Sequence, residues 1–354
     1  MFPLQGPRTR LNAVATGNFT AYDLAIETNY QKVESHPLAP HRTALRRAIF
    51  SAFLMAIAFT GLAAACGGDD DGSSSGRPRV MATTAVIGAL TQEVAGDLVA
   101  VKVLAPAGVD PHDYELTAND QKEIDRAILI LRHGLGFDEY LDSAVSSSSN
   151  GGKVFTVTEG IDLLDAGDHS DGGDGDNGQP DPHVWHDPVR LKVMVENIAE
   201  ALAASDATNA EAYRANAAAY SAVLDDTDAE IRQLIDTIPA ANRKIVTVHD
   251  SFSYFIDRYG LEFIGSVIPA TTTAAEPSAR DLAALQDTIK AEGVKAIFGE
   301  NSADPRIARQ LADDAGIPFV DDLFGDSLGD PGTAEATVHG MLLANARTIA
   351  EALR

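Results

Sequence analysis

From residue 79 onward, short apolar runs alternate with stretches in which apolar positions recur every three or four residues. The runs at 80–84, 99–104, 127–131 and 153–158 predict strands. The segments between them, 85–96, 118–125 and 137–146, carry the spacing of amphipathic helices. Strands separated by helices pair in parallel and are covered on both faces. The alternation resumes after residue 240, with strands expected at 244–248, 261–268, 296–299 and 318–321. Helices are expected there at 251–259, 279–292, 305–315 and 334–353.

The middle of the chain breaks this rhythm. Residues 165–182 hold six Asp, five Gly and His169, with almost nothing apolar, and predict an acidic loop. Pro188 then opens a helix running to about 204. A longer helix is expected over 208–238, because Tyr213, Ala217, Tyr220, Leu224, Ile231, Ile235 and Ile238 share one face. Asp228 alone interrupts that stripe. At 1.5 Å per residue such a helix is ~45 Å long, enough to span two lobes and hold them rigidly. The expected fold is therefore α/β, with two lobes, each a parallel sheet flanked by helices, joined by one long rigid helix. The N-terminal lobe would be 79–206, the linking helix 207–239 and the C-terminal lobe 240–354.

The first 78 residues follow a different logic. Arg42, Arg46 and Arg47 precede an apolar run, 48–65, and small residues then lead to Cys66, the single cysteine of the chain. A basic flank, an apolar core and small residues before a cleavage point make a secretory signal. The small residues before one Cys resemble a bacterial lipoprotein signal, with lipid added to Cys66. A membrane-spanning helix would fit the same run, and either reading exports everything after it. The lipoprotein reading is preferred because a Gly/Ser/Asp tether, 66–78, follows. Residues 1–65 are then an extension and signal peptide, and 1–41 have no structural role assigned.

Charge narrows the functions. The net charge is −25, and the chain after residue 65 is more acidic still, since residues 1–65 hold six Lys/Arg and three Asp/Glu. Such a surface repels nucleic acid. With Cys66 committed to lipid there is neither a disulfide nor a thiolate metal site, so any metal must be held by His and carboxylates.

Three histidines occupy matching places in this pattern. His112 lies in Asp110-Pro111-His112-Asp113-Tyr114-Glu115 after a strand. His183 lies in Asp181-Pro182-His183-Val184-Trp185-His186, between the acidic loop and a helix. His249 ends a strand, and Asp326, in Gly325-Asp326-Ser327-Leu328-Gly329, follows another. Ligand sites in open α/β sheets gather beyond the carboxyl ends of strands. Three imidazoles and one carboxylate suit Zn²⁺, and Mn²⁺ would accept the same atoms with a higher coordination number. Glu115, Asp250 and Glu300 are the acidic candidates to orient the rings, together with Asp113. His186 is a candidate orienting group or alternative ligand, and His169 a candidate for weak collection of metal. His133 and His339 are expected to be structural.

The motifs around His112 and His183 resemble hallmarks of the TroA/ZnuA-like zinc- and manganese-binding solute receptors of ABC transporters. Val248-His249-Asp250-Ser251-Phe252, Ala275-Glu276-Pro277-Ser278 and Gly325-Asp326-Ser327-Leu328-Gly329 extend the likeness, in the family's order, over 79–354. The resemblance implies a monomeric, two-lobed, extracytoplasmic receptor. Its metal ligands would be His112, His183, His249 and Asp326. It would deliver the ion to a membrane permease served by a separate ATPase subunit. Histidine at the third ligand position leans towards zinc. Two features depart from the pattern: the loop before His183 holds one His where zinc receptors often carry many, and His186 stands where an apolar residue is common.

Three other functional classes match parts of the sequence. Gly325-x-Ser327-x-Gly329 matches the nucleophile elbow of α/β hydrolases, but Asp330-Pro331-Gly332 follows where a helix is needed, and only His339 remains downstream. A zinc hydrolase would keep one coordination position open for water, and the chain lacks His-Glu-x-x-His. A surface adhesin with a structural metal is the third class.

Overall fold

The structure is a computed structural model, and it describes residues 76–148, 153–164 and 180–354. Cys66, His169, most of the tether and the acidic loop through residue 179 lie outside the described residues. The first half runs β1 (Arg79–Thr84), α1 (Ala85–Ala95), β2 (Ala100–Ala105), α2 (Ala118–Arg126), β3 (Leu129–Arg132), α3 (Tyr140–Ser147), β4 (Lys153–Thr156) and α4 (Pro188–Ser205). Then come the long helix α5 (Ala210–Ile235), β5 (Lys244–Thr247), α6 (Ser253–Tyr259), β6 (Glu262–Ser266), α7 (Ala279–Glu292), β7 (Ile297–Glu300), α8 (Arg306–Ala315), β8 (Phe319–Leu323) and α9 (Val338–Leu353).

The first sheet is all parallel, in the order β2-β1-β3-β4. Val80 sits between Val101 and Leu129, so the central strand is buried on both faces, as its unbroken apolar run requires. In the second half β5 pairs with β6 and β7 with β8, again in parallel, and β5 runs beside β7. Both pairs carry a register shift, at Ile245/Val246 and at Phe298/Glu300. An irregularity of this kind bends the strand and re-aims the side chain at its end. His249 follows the first of these strands, and Glu300 ends the second.

Helix boundaries follow local capping. Thr117 and Asp120 form a reciprocal capping box on α2, and Ser278 and Asp281 do the same on α7. Asp187 caps α4, with Pro188 in the first turn. α3 begins at Tyr140, three residues later than its apolar spacing predicts. The preceding turn is organised by the Asp138 carboxylate, which accepts the N–H groups of His133 at 2.6 Å and Gly134 at 3.0 Å. α5 is likewise shorter than 208–238: a 3₁₀ turn, Ala207–Asn209, precedes it, and Pro239 disfavours helix in the residue before it.

α5 fastens the two halves together. Its stripe of Tyr213, Ala217, Tyr220, Leu224, Ile231 and Ile235 is buried. It packs on α1 and α4 of the first half and on α9 at the end of the second. One continuous apolar cluster therefore runs from Val80 and Leu131 through Leu224 to Phe298 and Leu342. Asp228, the polar break in the stripe, is explained by a cation. Arg258 of α6 donates to both its oxygens at 2.8 Å, and the Tyr259 hydroxyl adds a bond at 3.0 Å. Arg258 also reaches Asp187 at 3.1 Å, which ties the start of α4 to α5 and α6.

Burial pushes the Asp228 carboxyl up, but hydrogen bonds and charge from Arg258 outweigh it and hold the group below 3.8. A depressed carboxyl stabilises the fold above its unfolded value and loses that contribution as pH falls through its folded one. Asp228→Ala is expected to lower unfolding stability by about 1–3 kcal/mol at neutral pH, with the far-UV circular dichroism unchanged. In acid, below pH 3.8, denaturant titrations of variant and parent should converge.

Candidate metal centre

Two of the three histidines are aimed by the same short motif. In Asp110-Pro111-His112, Asp110 Oδ1 accepts the His112 N–H at 2.9 Å, and in Asp181-Pro182-His183, Asp181 Oδ1 accepts the His183 N–H at 2.9 Å. An Asp side chain bonding the backbone two residues on makes a rigid Asx turn, and the intervening Pro fixes one further dihedral. In the second copy the same oxygen lies 2.7 Å from His183 Nδ1, so ring and backbone share one anchor. The loop behind that anchor is itself pinned. Tyr254 donates to the Asp181 carbonyl at 2.8 Å, and buried His133 donates from Nε2 to the Pro182 carbonyl at 2.7 Å.

His249 is aimed by a side chain from the neighbouring strand. Glu300 Oε1 accepts the N–H groups of Val248 at 3.2 Å and His249 at 3.1 Å. Its Oε2 accepts the Ser251 hydroxyl at 3.2 Å and stands 2.9 Å from His249 Nδ1. Gly325 makes room for this carboxylate, because a β-carbon there would collide with Glu300 Oε2. Asn345 of α9 completes the cradle: its side chain bonds both the N–H and the carbonyl of Phe324 at 2.8 Å, fixing the turn that carries Asp326.

The result is a convergence of four side chains. One ligand atom each from His112, His183, His249 and Asp326 can be chosen so that all lie within 4.8 Å of one another. Asp326 lies 3.4 Å from His112 Nε2, 3.3 Å from His183 Nε2 and 3.2 Å from His249 Nε2. Four atoms placed tetrahedrally at zinc bond lengths stand roughly 3.3 Å apart. His183, His249 and Asp326 have fully buried side chains, while His112 keeps 9% exposure. None of the three Nε2 atoms, nor either oxygen of Asp326, has a hydrogen-bond partner. Buried polar atoms without partners are costly, and a cation among them removes that cost. Phe137 and Trp185 wall the cluster, with ring centroids 4.9 Å from His112 and 5.1 Å from His183 respectively. A cleft of about 400 Å³, lined by Pro111, His112, Tyr114, Phe137, Pro182 and Thr271 among others, meets the cluster on the His112 side.

The remaining expected site residues are placed differently. Glu300 Oε2 stands 2.9 Å from His249 Nδ1. Glu115 is exposed, beyond the 3₁₀ turn that carries His112, and Asp113 is exposed as well. Asp250 is buried but accepts from Ser253 Oγ at 2.8 Å and holds no ring. The carboxylate on His183 is instead Asp181. The repeated Asp-Pro-His spelling could have pointed to it, since an Asx turn puts that carboxylate beside the imidazole. His186 is outside the four-residue cluster. It lies on a 3₁₀ turn, Val184–His186, with its ring stacked 4.4 Å from Phe252. Burial, then the nearby His183, drive its pKa down to about 3, so it is a neutral packed ring. His133 and His339 are structural: the first is buried behind the site, and the second faces Tyr220 Oη at 3.3 Å.

A buried carboxylate faced by three imidazoles, held between two parallel α/β halves on a shared long helix, defines a metal-binding solute receptor of the ABC-importer type. The chain belongs to the ZnuA family, described as zinc-uptake complex component A, periplasmic, whose model matches residues 80–352. It is 30% identical over 309 residues to the manganese ABC transporter substrate-binding lipoprotein PsaA of Streptococcus anginosus, covering 85% of this chain and 96% of that one. Among solved structures it resembles the periplasmic zinc-binding protein TroA of Treponema pallidum, with a TM-score of 0.71 and 31% identity over 78% of this chain and 99% of that one. It also resembles a Mn-bound periplasmic metal-binding protein of Candidatus Liberibacter asiaticus, with a TM-score of 0.70 and 27% identity over 78% and 100% of the two chains.

The electrostatics set a pH dependence. Burial favours neutral His183, but Asp181 and then Asp326 outweigh it and raise its pKa to about 9. Burial is likewise outweighed at His249, which Glu300 and Asp326 hold well above 6.5. Asp326 is pushed up by burial, yet the charge on His249 and the three facing rings hold it well below 3.8. In the metal-free protein the raised histidines stabilise the fold below pH 6.5, and the His183 contribution is lost as pH rises through about 9. A dication must expel those protons, so apparent affinity should rise with pH from 6.5 to about 9. Isothermal titration at pH 7 in buffers of different ionisation enthalpy should show net proton release, reduced in Glu300→Gln.

Proposed function

We propose that this chain captures Zn²⁺ outside the cytoplasm and passes it to the permease of an ABC importer, whose ATPase is a separate subunit. The observation that carries this reading is the set of five buried, unpartnered ligand atoms around one point. Three neutral imidazoles and a carboxylate sum to one negative charge, which a dication overcompensates, and the donor set is that of tetrahedral zinc. Intrinsic affinity also favours zinc over manganese at nitrogen-rich sites. Mn²⁺ is the second reading. Both Asp326 oxygens face the cluster, which permits a higher coordination number, and the PsaA relative is named for manganese.

Four protein ligands leave no open position for water on zinc, which favours a receptor over a hydrolase. The Ser327 hydroxyl of the Gly325-x-Ser327-x-Gly329 stretch accepts the Gly108 N–H at 2.7 Å, and no helix follows it directly. Lipid attachment at Cys66 is supported by the PsaA alignment, which covers more of the chain than the solved folds do, 85% against 78%, and so reaches into the leader. Among the described residues no helix is long and apolar enough to cross a membrane. We assign lobes to 79–206 and 240–354, joined by 207–239, and a monomer as the working state.

The test is metal titration of the purified full chain with detergent present. One Zn²⁺ should bind per chain, and His112→Ala and His249→Ala should each weaken it at least about 100-fold. Competition between zinc and manganese at equal free concentrations should leave zinc bound. Unchanged zinc affinity in both variants would sink the ligand assignment, and retention of manganese would reverse the choice of ion.

A further inference from the structure

The rings of His183 and His249 and the turn that carries Asp326 are each anchored by a carboxylate or amide from their own half of the chain. Asp181 anchors His183 from its own loop, Glu300 anchors His249 from the strand beside it, and Asn345 fixes the turn of Asp326. His112 differs. Its segment, 106–114, lies in the connection between β2 and α2, with a single 3₁₀ turn as its regular structure, and its ring is the one that meets the cleft. Two short hydrogen bonds carry this segment across to the second half of the chain. Thr273 Oγ1 donates to Asp110 Oδ2 at 2.6 Å, and the Gly108 N–H donates to Ser327 Oγ at 2.7 Å. Gly108 presents that N–H because it sits at φ 78° in a turn closed by Val109 N–H to the Pro106 carbonyl, a conformation that suits glycine.

Both bonds end next to a candidate ligand. Asp110 uses its other oxygen to fix the His112 backbone, and Ser327 is the neighbour of Asp326. We propose that Thr273 and Ser327 form a latch that holds the His112 segment closed over the bound ion and sets the rate of its release. The proposal rests on the receptor reading above and adds to it the residues that control unloading. The continuous core along α5 opposes a wide hinge, because opening the lobes would expose apolar side chains shared by both. Swinging the 106–114 segment breaks two hydroxyl-mediated hydrogen bonds, each of modest net worth because water replaces it. The hydroxyls are positioning groups: they touch the segment that carries the ligand and leave the ion to the imidazoles and Asp326.

Removing one such bond should speed release about five- to tenfold while leaving association nearly unchanged, as is usual for contacts made in the closed state. The experiment is stopped-flow release of Zn²⁺ from the loaded full chain into excess EDTA. Trp185, the one tryptophan of the chain and in contact with His183, reports the site by fluorescence. Thr273→Val and Ser327→Ala should each accelerate release by that factor, and the double variant should multiply the two. Thr273→Ser keeps a hydroxyl and should return the rate to within about twofold of the parent. Melting of the metal-free protein should not separate Thr273→Val from Thr273→Ser. Release rates of Thr273→Val and Ser327→Ala within about twofold of the parent would overturn the latch. So would equal acceleration by the Val and Ser variants. A parent chain that binds no zinc and no manganese would remove the receptor reading, and the latch with it.

Discussion

Everything in this molecule is arranged around one buried carboxylate. Asp326 sits where water cannot solvate it, with three imidazole edges 3.2–3.4 Å away and no hydrogen bond to satisfy either oxygen. Such a charge is tolerated only if positive charge comes to it, as protons on the histidines or as a metal ion. The two options compete for the same atoms. That competition makes the site a metal trap coupled to pH, and the carboxylates behind the rings, Asp181 and Glu300, raise the strength of both the bases and the ligands.

Holding four groups at these distances demands a rigid frame. α5 supplies it by packing α1, α4 and α9 on one apolar face, so that the halves share a core instead of meeting across a wet interface. The Arg258 bridge from Asp228 to Asp187 extends the frame to the helix that begins just after His183. The His112 segment has little regular structure, faces the cleft and is joined to the opposite half through hydroxyl groups.

Much of this was legible residue by residue. The alternation of apolar runs located each strand and helix to within a few residues, because backbone periodicity is a local property. The errors fell where a distant or side-chain partner decided the boundary, as when Asp138 captured the turn before α3. The candidate ligand histidines stand out by their places at strand and helix ends and by a family resemblance. The groups beside their rings are less legible. Glu115 and Asp250 are close to the ligands in sequence yet hold no ring, whereas Asp181 sits two residues before His183 and does. An Asx turn brings a side chain back to the residue two ahead, and proximity along the chain is a poor guide to anything else.

The sequence by itself determined the α/β alternation, the acidic character and the motifs that hold the four candidate ligands. Those properties depend on composition and on spacing along a short stretch. Only the tertiary structure decided that Asp326 faces three rings at once, that His186 is stacked on Phe252 outside the cluster, and that Thr273 and Ser327 reach the His112 segment. Each of those contacts joins residues far apart in the chain. Its existence depends on strand order, on the register shifts in β5 and β7, and on the packing of one shared core, none of which is written in any local pattern.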